Sequence, residues 1–179
     1  MDSPMFGLSI SVYERKICMN KTKKLTIAAI LCALAVVCSA FYIPVGGAKC
    51  FPIQHAVNVL AGVLLGPFYG VCMALVTSLI RVFLGTGSLL AFPGSMCGAL
   101  LCGLCYKYGQ KLLFAFLGEV VGTGIIGALL SWPIATLFMS QNAAIFGFVV
   151  PFMVSSIGGA AISVVLILVL KKTKALQLS

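Results

Sequence analysis

Acidic residues are nearly absent: the chain holds three Asp and Glu among 179 residues, and only 8% of it is charged. Soluble domains carry about 25% charged residues, so an ordinary soluble domain is excluded. No pair of carboxylates and no H-E-x-x-H stands in the chain, which removes the usual intramembrane hydrolases and proton relays. There is no G-x-x-x-x-G-K-[ST], so no nucleotide is hydrolysed through a P-loop. Strand-like alternation is missing too, which sets helices ahead of a membrane barrel. Cys102-Gly-Leu-Cys105 is formally C-x-x-C, but it has no second C-x-x-C and no nearby His to complete a metal site.

What the chain does have is apolar length. It is 61% hydrophobic with a mean hydropathy of +1.18, and its long apolar runs carry Gly, Ala and Ser throughout. The expectation is an all-α, polytopic integral membrane protein. The net charge of +9 does not point to nucleic acid, because Lys and Arg cluster at the ends of apolar runs rather than along one face. Most of the eight cysteines lie inside those runs and behave as small hydrophobes. Cys50 differs, since it stands in a polar loop, and it reads as a candidate reactive thiol.

Residues 1–24 form a basic N-terminal segment, in which Met19 is a candidate natural start and 1–18 an extension. Six membrane helices follow within 25–170: Leu25 to Ile43, Ile53 to Leu65, Phe68 to Leu84, Leu89 to Cys105, Leu112 to about Trp132, and Phe152 to Leu170. The first resembles a signal peptide but reads as a retained helix, because more spans follow and its apolar run is long. The second is short, covering roughly 20 to 22 Å of a core about 30 Å thick, and so leaves a hollow that loops can line. Pro133 to Pro151 reads as an interfacial loop, and 171–179 as a tail. Ten of the twelve Lys and Arg fall at the N-terminus, at Lys107 and Lys111, or at the C-terminus, which makes both termini cytoplasmic in a multi-pass plasma-membrane protein.

That topology gathers the polar groups at one outer mouth. Pro52 starts the second helix, and Gln54, His55 and Asn58 share its face. Arg81, Thr86, Ser88, Phe92, Ser95, Trp132 and Asn142 lie at neighbouring helix ends. His55 with Asn58 is the favoured ligand pair. Arg81 reads either as an anion holder or as a side chain snorkelling to the interface. Glu119 is the one acid in the membrane body; it counts toward the cytoplasmic side, and reads equally as a structural group, hydrogen-bonded or paired with Lys111, and as a ligand contact. Gly122-Thr-Gly-Ile-Ile-Gly127 matches a dinucleotide fingerprint only in letters, since no strand precedes it. With Gly118 it reads as a packing face, as do Gly62-x-x-x-Gly66, Gly94-x-x-x-Gly98 and, for internal packing or partner docking, Ala29-x-x-x-Ala33.

Taken together, Ile43-Pro-Val-Gly-Gly-Ala-Lys-Cys-Phe-Pro-Ile-Gln-His55, Leu64-Leu-Gly-Pro67, Thr77-Ser-Leu-Ile-Arg81, Leu84-Gly-Thr-Gly87, Leu90-Ala-Phe-Pro-Gly-Ser95 and Gly118-Glu-Val-Val-Gly-Thr-Gly124 resemble the ThiW family. The architecture resembles the substrate-binding S components of energy-coupling factor (ECF) transporters. The resemblance runs from about Lys23 to Leu170. It implies capture of hydroxyethyl-methylthiazole, a thiamine precursor, by a subunit that catalyses nothing and holds no cofactor or metal. It also implies a membrane coupling subunit and two cytoplasmic ATPases as partners, with Ala29 and Ala33 as the docking face. Another vitamin or precursor, thiamine or a different small heterocycle, stands as the alternative substrate, and a membrane-embedded enzyme or a structural subunit as more distant readings. Chemistry then nominates Phe92, Trp132 and Phe152 for an aromatic slot, and Gln54, His55, Asn58 and Ser95 for its polar contacts, with Glu119 and Asn142 beside them.

Overall fold

The computed structural model describes residues 20–45, 48–140 and 144–173. The proposed extension and Asn142 lie outside these residues. Six helices are found among them: α1, Lys21–Val37, closed by a 3-10 turn at Cys38–Ala40; α2, Pro52–Leu64; α3, Pro67–Phe83; α4, Ala91–Gly109; α5, Leu112–Phe138; and α6, Val149–Lys172. Of these, Lys21–Ala40, α5 and α6 are long and apolar enough to cross a membrane, and α2 and α3 are shorter apolar helices.

The exterior is apolar, and the charged and polar side chains of the helices are held inside an otherwise apolar core, which is the arrangement a membrane demands. Arg81, Glu119, Asn58 and Ser163 are fully buried, whereas Phe68, Phe83, Leu113, Leu137, Phe138 and Val165 point outward. α2 runs through the centre and touches all five other helices. Gln54 through Val63 are consequently all buried. Pro52 occupies its first turn, where the missing N–H removes no intrahelical bond. Gly66 ends the connection at φ +89°, a conformation that favours glycine, and Pro67 restarts the chain as α3. Gly66 is therefore a turn residue and not part of a packing face. Gly62 alone takes that role, facing Cys102 and the Gly103 backbone of α4.

Several boundaries differ from the sequence reading: the first helix starts at Lys21 rather than Leu25, and the fourth runs on to Gly109 rather than stopping at Cys105. The first helix stops six residues early, and Ile43–Val45 instead pairs antiparallel with Ala48–Cys50, with Ile43 opposite Cys50. These short strands satisfy each other's backbone groups where no helix continues. The fifth helix runs through Pro133 to Phe138, because a proline in a packed apolar helix leaves few groups unpaired and the rest of the ladder persists. The sixth starts at Val149, so the segment read as a loop is half helical.

α5 packs along α4 at glycine contacts. A Cβ on Gly118 would strike Leu101 O, and one on Gly122 would strike Cys97 O, both backbone atoms unable to yield. The G-x-G-x-x-G letters fall on a π-helical segment, Gly122–Gly127, inside this rod. Gly122→Val should thus lower stability by about 1–3 kcal/mol, the usual range for overpacking. Gly158→Ala, whose nearest neighbour would be Pro52 Cβ at 3.9 Å, should leave the unfolding midpoint in detergent unchanged; equal midpoints for both variants would refute the close-packing account.

Candidate functional site

Chain direction alternates, so the starts of α2, α4 and α6 meet the ends of α1, α3 and α5 at one end of the bundle. Lys21, Lys23, Lys24, Lys107, Lys111, Lys171 and Lys172 gather at the opposite end. Because α2 is short and central, its first turn is sunk below the other helices, and a cavity of about 620 Å³ opens above it. That volume suits a small organic ligand.

The hairpin supplies one wall with Lys49 and Phe51, and α2 supplies Gln54 and His55. Gly85, Thr86, Gly87 and Ser88 close the side between α3 and α4, while Ala91, Gly94 and Ser95 present the first turns of α4. Thr123 and Met139 of the α5 region and Phe148, Phe152 and Ser155 of the α6 region complete the lining. Two contacts fasten the hairpin: Phe51 N–H donates to Ser155 Oγ (2.9 Å), and the Cys50 thiol donates to Pro151 O (3.2 Å). Cys50 is 2% exposed, and burial pushes its thiol above the usual range. Less thiolate and less access make it a poor nucleophile, so the reactive-thiol reading falls.

One carboxylate organises the layer behind the wall. Glu119 Oε1 lies 2.9 Å from His55 Nδ1, and accepts from Asn58 Nδ2 (3.3 Å) and Thr123 Oγ1 (3.1 Å). Asn58 Nδ2 also reaches Ser95 O at 3.2 Å, and Ser78 Oγ meets Ser95 Oγ at 2.9 Å. With Nδ1 turned to the carboxylate, Nε2 is the ring's remaining polar atom; it accepts in the neutral ring and donates in the charged one. Glu119 Oε2 and Asn58 Oδ1 are buried without a partner among the described residues. Glu119 is therefore not remote from the mouth, nor paired with Lys111: it stands directly behind the cavity. Along its own helix Glu119 lies early, in the segment Leu112–Val121, but α2 begins so deep that His55 comes down to meet it.

Of the residues named from sequence, Gln54, His55 and Ser95 line the cavity, and Asn58 and Glu119 back it. Phe92 and Trp132 do not line it. On α4 the lining face carries Ala91, Gly94 and Ser95, and the turn of about 100° per residue sets Phe92 off that face. On α5 it is Ser131 that faces α4, through Leu90 O at 3.3 Å, which turns its neighbour Trp132 aside. The aromatic lining comes from Phe51, Phe148 and Phe152 instead, with only Phe152 foreseen. Thr123 and Ser155 were missed as site residues. Thr123 had a signal, because it stands four residues after Glu119 and hence on the same face; Ser155 had none.

A bundle that turns apolar side chains outward, buries its polar ones and encloses a small-molecule cavity at one end defines a membrane protein that binds a small solute. The chain belongs to the ThiW family of thiamine-precursor transporter proteins, whose family model matches residues 25–173. No curated protein matches the chain.

Glu119→Ala would strand His55 Nδ1 and one N–H of Asn58 in the core, while Thr123 keeps Gly94 O as an acceptor, and should cost about 3 kcal/mol or more. Glu119→Gln, whose amide oxygen still accepts, should cost clearly less. Unfolding in detergent reads both, and an equal loss would show that Glu119 does not hold His55 and Asn58 together.

Proposed function

We propose that the protein is the substrate-capturing S component of an ECF-type transporter, and that its ligand is hydroxyethyl-methylthiazole. The observation that carries this reading is the cavity over α2 in a chain of the ThiW family. Its size, its aromatic walls at Phe51, Phe148 and Phe152, and its few polar groups suit a small heteroaromatic alcohol. Gln54, His55 and Ser95 would contact the ring nitrogen and hydroxyl, with Asn58 and Glu119 orienting them.

The same reading gives the chain six crossings with both termini cytoplasmic, so that the cavity opens outward. Lysines gathered at the opposite end support that orientation. Ala29 and Ala33 are exposed and line an apolar groove of about 570 Å³ between α1 and α3, together with Tyr69, Met73 and Ile80. Small residues there let a helix approach closely, which suits a membrane coupling subunit driven by two cytoplasmic ATPases. Release would follow when that subunit reorients the capturing protein, and no step of the cycle needs chemistry from this chain.

Calorimetric titration of the detergent-solubilised protein with hydroxyethyl-methylthiazole should give saturable binding that thiamine does not match. No heat with the thiazole but tight binding of another vitamin would transfer the capture role to that vitamin. Ala29→Leu with Ala33→Leu should abolish uptake in cells that express the energising subunits while leaving binding unchanged; a loss of binding would remove the docking role from this face.

A further inference from the structure

Among the described residues Arg81 is the largest fully buried side chain, and its Nε, Nη1 and Nη2 all lack a hydrogen-bond partner. It does not snorkel to the interface. Its guanidinium carbon sits 4.0 Å from the centroid of Phe51, and cation–π stacking is its one favourable polar contact there. A buried guanidinium with no carboxylate and no carbonyl is costly, and such groups are kept where a charge is to be met. Glu119 is not that charge, since its contacts are with His55, Asn58 and Thr123 and none reaches the guanidinium.

Arg81 stands immediately behind the cavity wall. Phe51 lines the cavity and stacks on the guanidinium; Gly87 lines it and leaves 3.0 Å between its missing Cβ and Arg81 Cβ; Thr86 lines it and its N–H donates to Arg81 O at 3.0 Å. Lys49 lies in the same lining. Lys49 in the lining and Arg81 behind it are thus the two cations at this cavity, and the one acid among the described residues stands behind His55.

The geometry points to an anion subsite: the cavity takes a small heteroaromatic ligand bearing an anionic group, a phosphate monoester or a carboxylate, and Arg81 pairs with that group once Phe51 swings off its guanidinium. This rests on the capture reading above and narrows its substrate class to the charged forms of the precursor.

The test compares hydroxyethyl-methylthiazole with its phosphate monoester by calorimetry, and inorganic phosphate by thermal shift, on the wild type, Arg81→Met and Arg81→Lys. The monoester should bind the wild type on the order of 10- to 100-fold more tightly than the alcohol, the range of a charge-assisted bidentate contact. Arg81→Met should erase that preference while keeping affinity for the alcohol, and Arg81→Lys should keep part of it. If the wild type binds the alcohol as tightly as the monoester, the anion subsite is refuted and the thiazole reading stands. Should neither thiazole bind, phosphate decides: stabilisation of the wild type but not of Arg81→Met upholds the anion subsite and removes the thiazole, whereas no stabilisation removes both. The wild-type comparison holds even if Arg81→Met does not fold.

Discussion

A fully buried carboxylate in an apolar bundle is costly unless its lone pairs are met, and several kcal/mol ride on whether the donors arrive in the right places. Glu119 meets that condition at one oxygen: α2 brings His55 and Asn58 against Oε1, Thr123 joins them from one turn along its own helix, and Oε2 has no partner among the described residues. The contact fixes α2 in depth and rotation against α5. Since α2 has only 13 residues, fixing its depth leaves an unfilled column above its first turn. The cavity is what remains in that column once the hairpin and the α3–α4 turn have closed over it.

That contact also explains why the helices around α2 are built from small residues. Asn58 reaches a backbone carbonyl of α4, at Ser95, and Thr123 reaches another, at Gly94. Side chains this short bridge two helices only if the backbones nearly touch. The glycines at 94, 98, 118, 122 and 127 permit that approach, with Gly98 directly facing Thr123 and Glu119. The π-helical turn at Gly122–Gly127 lies in the same contact, where a wider turn fits against the flat glycine surface of α4. A motif that looks like nucleotide chemistry in letters is in fact the means of bringing a threonine to the cavity wall.

Much of this was legible because membrane folding leaves strong marks in one dimension. Apolar runs gave four of the six helices to within about four residues at each end, with the first and fifth each missing one end by about six, and the shortness of Ile53 to Leu65 was enough to place a hollow above it. The polar stretch Gln54 to Asn58 stood out because water-free surroundings make every buried polar group conspicuous. What sequence could not supply was relative depth. Glu119 was counted along its own helix, and nothing in that count shows how far α2 sinks. Rotation was equally hidden: Phe92 and Trp132 sit at the proper level but on the wrong side of their helices, while Phe51 and Phe148, outside any periodic pattern, were passed over. The hairpin escaped because three-residue strands leave no alternation to detect.

The cavity and the apolar groove occupy different helices, yet they share one fastening. Ser39 Oγ, just beyond α1, lies 3.0 Å from Thr86 Oγ1, and Thr86 Oγ1 donates to Arg81 O in the last turn of α3 at 3.3 Å. Thr86 also lines the cavity. Both walls of the groove are thus tied, at their cavity ends, to a single residue within reach of a ligand. A bound molecule alters the groove only by the difference in its contacts between two arrangements of those walls. Contacts confined to α2 and α6 supply no such difference, because neither helix forms the groove. Contacts that move Thr86, or draw Arg81 from beneath Phe51, do supply it, since each pulls on α3 and the first also on α1. The turn at Gly85–Ser88 is accordingly a place where the cavity and both walls of the groove have a physical connection.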